Sequence, residues 1–156
     1  GFVDDGEDNL EITYLVFRVA GEQYAVAVQQ VTEIVRLQPI APLPDVPPYI
    51  LGVITLRGRV VPIMNMHLRC GLEPVEYNER TVIVVIEVGN KATGLVVEAV
   101  SEVIEIPNDQ IGPPPPMRSK ESMILGLGQC GDNVVIVVDC EKLLFGNEPL
   151  ANNVES

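Results

Sequence analysis

The chain has 156 residues, of which 47% are hydrophobic, and its formal net charge is −12 at pH 7. The hydrophobic share excludes a disordered chain, and the acidic balance argues against nucleic acid as a partner, since phosphates require a basic surface. No apolar run reaches the roughly 18–20 residues of a membrane helix, and no secretory signal is visible, so we expect a soluble, cytoplasmic protein without direct membrane insertion.

The 25 valines and 13 isoleucines lie in short runs that Gly, Pro and Asn interrupt, a pattern typical of β-strands. Five acids between residues 4 and 11 predict a mobile acidic tail over residues 1–12, and residues 151–156 are expected to form a C-terminal tail. In chain order, the predicted strands are Thr13–Val19, Gln23–Val28, Glu33–Leu37, Tyr49–Leu56, Val60–Met64, Thr81–Val88, Ala92–Val97, Val103–Ile106, Met123–Leu127 and Val134–Val138.

Two segments of the chain resemble two later ones, which indicates an internal duplication. Residues 16–36 align without a gap on residues 85–105, and residues 50–71 align on residues 124–146 with one extra residue. The copies cover about residues 13–72 and 81–146 of a domain that spans residues 13–150. Because each copy has five predicted strands, we expect an all-β fold of two packed, five-stranded antiparallel barrel subdomains, since closure removes exposed sheet edges.

Some predicted strands are apolar on both faces. Residues 82–86 and 134–138 contain only Val and Ile. A strand of this kind must pack against other parts of the protein on both of its faces. One face would fill the interior of its barrel and the other would pack against the second barrel, so we predict one continuous core shared by both subdomains.

Few helices are expected, and all of them are short. Residues 28–35 and their counterpart 97–104 have apolar residues at the spacing of a helical turn. Asn65 and Asp139 occupy N-cap positions, and glycines follow about six residues later, so one or two helical turns are predicted after each cap. The proline-rich segments 39–48 and 113–116 are expected to be rigid loops.

We find no combination of residues that predicts an enzyme, a cofactor or a metal site. The three cysteines form no CxxC motif, and the single histidine, His67, gives neither a metal-ligand set nor a catalytic pair. Residues Gly126–Gly131 match GxGxxG, but a dinucleotide loop opens a helix, whereas this one leads into a predicted strand. A nucleotide-binding protein that uses this loop is the alternative from a different functional class.

One predicted hairpin is basic. Residues 46–72 contain Arg57, Arg59 and Arg69 but no acid, although the whole chain is acidic. The tip Leu56-Arg57-Gly58-Arg59 corresponds to Cys130-Gly131-Asp132-Asn133 in the second copy, so only one tip is basic. This asymmetry indicates docking to an acidic patch on another protein, with a solvated barrel rim as the alternative.

The segment GVITLRGRVVPI at residues 52–63 resembles the CheW family of bacterial chemotaxis adaptors, and further matches cover nearly the whole chain. The resemblance implies two SH3-like β-barrels and a non-enzymatic scaffold without cofactors. Its partners would be the regulatory domain of the histidine kinase CheA and the cytoplasmic tips of chemoreceptors, which would place it at the membrane-associated receptor array. An adaptor of a parallel chemosensory pathway, such as pilus motility, is the alternative within this class.

The resemblance also implies which residues form the coupling surface. Carried over by matching position, they are Val31, Glu33, Gly52, Arg57, Gly58 and Val103. Arg57 would pair with a receptor carboxylate, and Gly58 would permit a turn with positive φ. Val31, Gly52 and Val103 would provide an apolar seat, although both valines are also candidate core positions and Gly52 has a conformational role as its alternative. The hydrophobic segments 123–127 and 134–138 are the candidate kinase-facing region.

Overall fold

The computed structural model describes residues 11–114 and 123–146, so most of the predicted tails and part of the proline run at 113–116 lie outside it. Within these residues all ten predicted strands are present. They are β1 (Glu11–Val19), β2 (Glu22–Ala27), β3 (Val31–Arg36), β4 (Ile50–Leu56), β5 (Arg59–Asn65), β6 (Val82–Val88), β7 (Lys91–Val97), β8 (Ala99–Pro107), β9 (Ile124–Cys130) and β10 (Asn133–Val138). Two short helices, α1 (Met66–Arg69) and α2 (Cys140–Phe145), and two 3-10 turns, η1 (Val28–Gln30) and η2 (Asn108–Gln110), complete them.

The strands form two five-stranded sheets, as expected, but each sheet takes strands from both sequence copies. Sheet A has the order β8-β1-β2-β10-β9, and sheet B has the order β3-β6-β7-β5-β4. The expectation of wholly antiparallel pairing is therefore wrong. The chain changes sheet after β2 and again after β7, and the exchanged strands pair in parallel, β10 with β2 and β5 with β7.

A single backbone bridge joins the outer strands of each sheet. In sheet B, Ala41, which follows β3, exchanges two hydrogen bonds of 2.9 Å with Val53 of β4. In sheet A, Gly112, which follows β8, exchanges bonds of 2.8 and 2.9 Å with Leu127 of β9. The ladders do not run completely around either sheet in the described residues, so each barrel is closed only at its bridge.

The hydrophobic core confirms the cover on both faces predicted for residues 82–86 but not for residues 134–138, where Val134 is 51% exposed and Ile136 is only half-buried. Ile83 and Val85 of β6 belong to the cluster inside sheet B, whereas Val84 and Ile86 of the same strand belong to a cluster that receives side chains from both sheets. We call this second cluster the shared core. Its buried members are Leu15, Phe17, Val19, Val26, Met64, Met66, Val84, Ile86, Leu95, Val97, Val138, Cys140 and Leu143. The two sheets are therefore held together by one hydrophobic layer.

The caps of both helices are confirmed. Asn65 Oδ1 accepts the Leu68 N–H at 2.9 Å, and Asp139 Oδ1 accepts the Glu141 N–H at 3.0 Å. Each side chain thus satisfies a backbone donor that the first helical turn leaves unpaired. No helix in the two described ranges is long and apolar enough to cross a membrane.

Residues 28–35 and 97–104 have apolar residues at helical spacing, but in the structure they contain β-bulges rather than α-helices. The first segment has only the single turn η1 before β3 begins, and the second lies mostly in β8. The β3–β6 register shifts at Thr32, and the β8–β1 register shifts at Ser101, the repeat-related position. An extra residue in a strand interrupts its alternation, so apolar residues recur at a spacing that imitates a helix.

Candidate functional site

The basic hairpin connects β4 to β5, and Arg57 and Gly58 are its two turn residues. Their φ angles are +53° and +79°, as the two-residue turn that matches the twist of adjacent strands requires. No atom lies within 4 Å of a Cβ built on Gly58, so backbone conformation alone favours glycine there. The positive φ expected at Gly58 is thus present, and the turn holds Arg57 at the tip of sheet B.

Arg57 forms a two-point ion pair with Glu33. Its Nε and Nη2 groups donate to the two carboxylate oxygens of Glu33, each at 3.0 Å. Glu33 lies on β3 and Arg57 follows β4, so the pair joins the two outer strands of sheet B. Both residues belong to the predicted coupling surface, but their pairing was not evident from the sequence, because 24 positions separate them.

The ion pair leaves much of the guanidinium available. The Arg57 side chain is 74% exposed, against 22% for Glu33. An arginine carries five N–H donors, and the two bonds to Glu33 leave three without a described protein acceptor. Glu33 therefore orients Arg57 while one edge of its planar fork faces solvent.

The three apolar site residues occupy different environments. Val31 is half-buried and packs against the shared core from sheet B. Val103 is 59% exposed on β8 of sheet A, opposite Leu15 of the shared core. Gly52 is buried, with a φ of +147°, and a Cβ there would lie 2.1 Å from the Ala41 carbonyl oxygen. The alternative, conformational role of Gly52 therefore has a direct cause, which is the close approach of the bridge that closes sheet B.

The second copy lacks the ion pair. Glu102 lies opposite Val16 on β1, as its counterpart Glu33 lies opposite Val85 on β6. The neighbour of Glu102 from the second hairpin is the Cys130 thiol, at 4.0 Å, and no cation among the described residues pairs with it. The duplicated fold thus presents an oriented arginine at one tip only.

Glu33 gives a pH test of this geometry. The hydrogen bonds from Arg57 hold the pKa of the Glu33 carboxyl below its ordinary value of 4.5. A depressed pKa means that the pair stabilises the fold above the unfolded-state pKa, and that this contribution is lost as pH falls through the folded-state pKa. We expect Arg57→Gln to raise the Glu33 pKa towards 4.5 in a carbon-detected NMR titration. An unchanged pKa would show that the pair is absent in solution.

Two other surfaces are candidates for a second partner. A cleft of about 450 Å³ lies between β5, the β6–β7 turn and the end of α2, and Arg59, Val60, Lys91 and Phe145 are among its lining residues. Val60 is 68% exposed, the largest fraction among the exposed large hydrophobic residues of the described chain. On sheet A, within the kinase-facing region predicted from sequence, Leu125 is 55% and Val134 is 51% exposed.

The GxGxxG segment, residues 126–131, does not lead into a helix. Residues 124–130 form β9, Gly131 begins the turn, and β10 follows. A Cβ on Gly126 or Gly128 would lie 2.5 or 2.8 Å from neighbouring atoms of the same protein, so both glycines serve packing. The geometry therefore lacks the helix N-terminus to which a dinucleotide pyrophosphate binds. The described residues also contain no group of three or more potential metal ligands.

Known proteins share both the sequence pattern and the fold of this chain. The family model for the CheW-like domain matches residues 13–146. The chemotaxis protein CheW of Klebsiella aerogenes is 34% identical, over 90% of this chain and 87% of its own length. CheW of Rhizobium meliloti is 38% identical, over 86% of this chain and 88% of its own length. The crystal structure of the scaffolding protein TtCheW from Thermoanaerobacter tengcongensis superimposes with a TM-score of 0.81 at 30% identity, over 90% of this chain and 99% of that one. The chain therefore belongs to the CheW-like family.

Proposed function

We propose that this protein is a non-enzymatic chemotaxis adaptor that couples chemoreceptors to the histidine kinase CheA. Its family membership supports an adaptor, and the observation that carries the proposal is the Arg57–Glu33 pair, which presents an oriented, exposed guanidinium at the tip of sheet B. The regulatory domain of CheA and the cytoplasmic tips of receptors are its proposed partners. Through them the protein would reside in the cytoplasm at the membrane-associated receptor array.

The receptor-facing surface combines one charged and one apolar component. The free edge of the Arg57 guanidinium is suited to a receptor carboxylate, which a planar fork binds at two points. Val31 packs against the shared core from sheet B, and Val103 is 59% exposed on β8 of sheet A, so each sheet offers one apolar contact. A helical receptor tip with an acidic and an apolar face matches this combination.

For the kinase-facing surface we favour the cleft beside Val60 over the predicted region on sheet A. The cleft is concave, and it combines exposed apolar side chains with two basic residues, Arg59 and Lys91. Leu125 and Val134 are less exposed than Val60. Well-packed pockets at the centre of an interface contribute most of the binding free energy, so concavity decides between the two surfaces.

Matched substitutions at the two surfaces test this assignment. We expect Val60→Asp to weaken binding of the CheA regulatory domain by about tenfold or more, because it buries a charge at the contact. Val134→Asp, the same change at a similarly exposed valine of sheet A, should alter it by less than about twofold. Isothermal titration calorimetry measures both, with a receptor-tip fragment as the control ligand. The reverse pattern would move the kinase surface to sheet A.

The wild-type protein also tests the proposed function itself. It should bind both the kinase domain and the receptor fragment encoded in the same genome, and binding to neither would contradict the proposal. Selective binding to the components of a pilus-motility pathway would instead support the parallel chemosensory adaptor. Binding of a nucleotide in the same calorimeter would support the nucleotide-binding alternative.

A further inference from the structure

A hydrogen bond between a buried histidine and a partly exposed glutamate links three parts of the chain at the second change of sheet. His67 of α1 is 3% exposed, and its Nε2 lies 2.6 Å from Glu98 Oε2. The same oxygen accepts the Ala20 N–H, from the β1–β2 turn, at 2.6 Å. An ionised carboxylate only accepts hydrogen bonds, so Nε2 is the donor. This pairing was not evident from the sequence, because Glu98 is 31 positions from His67.

Glu98 is the residue at which the chain leaves sheet B for sheet A. It lies between β7 and β8, and its backbone N–H donates to the Arg18 carbonyl of β1 at 3.1 Å. Its side chain binds α1, which directly follows β5 of sheet B. The side chain and backbone of one residue therefore connect the start of β8 to both sheets.

The first change of sheet has no such connection. By the repeat alignment, Gln29 in η1 corresponds to Glu98, and Glu141 in α2 corresponds to His67. Both counterparts are exposed, and neither makes a side-chain hydrogen bond to a described residue. The His67–Glu98 pair therefore breaks the internal symmetry, as the Arg57–Glu33 pair does at the hairpin. Each pair is close to a proposed receptor contact. The His67–Glu98 pair holds the start of β8, on which Val103 lies, and the Arg57–Glu33 pair holds Glu33 on β3.

The charged groups on the neighbouring elements are directed elsewhere or lie at distant strand ends. On α1, the Arg69 guanidinium donates to the Leu143 and Lys142 carbonyls, each at 3.1 Å. On β5, Arg59 faces Glu87 at 3.9 Å, at the end of the strand remote from α1. Lys91 begins β7, the opposite end from Glu98, and Arg18 and Glu22 flank the β1–β2 turn with exposed side chains. Glu98 is thus the one charged side chain that bonds the His67 ring within the described residues.

We propose that His67 and Glu98 are positioning residues that hold the start of β8, and with it Val103, in place relative to α1 and β1. The consequence for receptor binding rests on the proposed function.

Methyl NMR of Val103 tests the structural part without any partner. We expect His67→Ala to displace the Val103 methyl signals, because it removes the donor that binds Glu98. Glu98→Ala should displace the same signals, whereas Glu98→Gln, which retains an acceptor oxygen, should displace them less. Glu105→Ala is the control, since Glu105 is an exposed glutamate on β8. Equal effects of Glu98→Ala and Glu105→Ala, or Val103 signals that His67→Ala leaves unchanged, would overturn the proposal.

Calorimetry with a receptor-tip fragment and with the CheA regulatory domain tests the binding part. We expect Glu98→Ala to weaken receptor binding about fivefold, because the loss of one hydrogen bond typically changes an equilibrium constant by about this factor. Kinase binding should be unchanged. A purely structural role would lower thermal stability without this selectivity and would overturn the proposal. If the wild type binds neither fragment while the Val103 signals respond as described, the proposed function fails and the positioning role stands.

Discussion

Phe17→Ala is expected to lower the free energy of unfolding by about 3–5 kcal/mol, the cost of removing a fully buried aromatic side chain from a packed core. Phe17 has 0% exposure in the shared core, and its ring stacks on Tyr24 with centroids 6.2 Å apart. Although Phe17 lies on β1 of sheet A, both sheets contribute side chains to this cluster. The loss should therefore appear equally in both sheets, as one cooperative transition.

Urea unfolding followed by methyl NMR separates this outcome from its alternative. Val135 reports on sheet A and Ile63 on sheet B, because each belongs to the cluster inside its own sheet. Phe145→Ala is the matched control, since this phenylalanine is 51% exposed at the end of α2, and its loss should cost about 1 kcal/mol or less. If Ile63 kept its wild-type midpoint in Phe17→Ala, the sheets would be independent units and the shared core would not unite them.

Arg57→Glu is expected to weaken binding of a receptor-tip fragment by about tenfold or more, since a charge reversal at a contact opposes the partner carboxylate as well as losing the attraction. The same change places two carboxylates together at the hairpin, where Glu33 now accepts two bonds. The fold should survive because the Arg57 side chain is largely exposed. Calorimetry of the variant, with circular dichroism to verify the fold, measures both expectations.

A charge swap distinguishes recognition from local structure. In the double variant Arg57→Glu with Glu33→Arg, an ion pair can form again, but the arginine would project from β3 instead of the hairpin tip. We expect receptor binding to remain weak, because Arg57 contacts the receptor itself. Full recovery would show that the pair only shapes the hairpin. Arg80→Glu, at an exposed position in the loop before β6, is the control for net charge.

The core was predictable from sequence in part. Residues 82–86, which are all Val or Ile, require cover on both faces, and the structure provides it from the barrel interior and from the shared core. Residues 134–138 have the same composition, but Val134 is 51% exposed, so composition alone does not identify the strand that packs between the sheets. The caps Asn65 and Asp139 were predictable, since a cap acts on neighbours within three residues. The burial of residues 82–86 and the two helix caps therefore depend on residues that are close together in the sequence.

The exchange of strands was not predictable, because alternation identifies strands without specifying their partners. β2 and β10 have no pattern that favours a parallel pairing over antiparallel neighbours from the same copy. Nor does alternation survive a bulge, which is why the segments around Thr32 and Ser101 imitated helical spacing. In both cases the missing information is how a strand pairs with its neighbours, which the residues of a single strand do not specify.

The candidate site, too, was predictable only in part. Its residues were found from their resemblance to a family, but the contacts that orient them join positions far apart in sequence. The Arg57–Glu33 pair, separated by 24 positions, forms when the two outer strands of sheet B come together, and the His67–Glu98 pair, separated by 31 positions, forms at the second change of sheet. The duplication did contain one usable signal, since departures from the repeat at Arg57 and His67 mark the positions where the fold acquires these asymmetric contacts.

The adaptor role is tested most directly by analytical ultracentrifugation of the protein mixed with the CheA regulatory domain and a receptor-tip fragment. If the hairpin and the cleft serve different partners, all three components should sediment together, and Arg57→Glu should release only the receptor fragment. Displacement of the kinase domain by the receptor fragment would contradict this, because a protein whose two partners compete for one surface cannot bridge them.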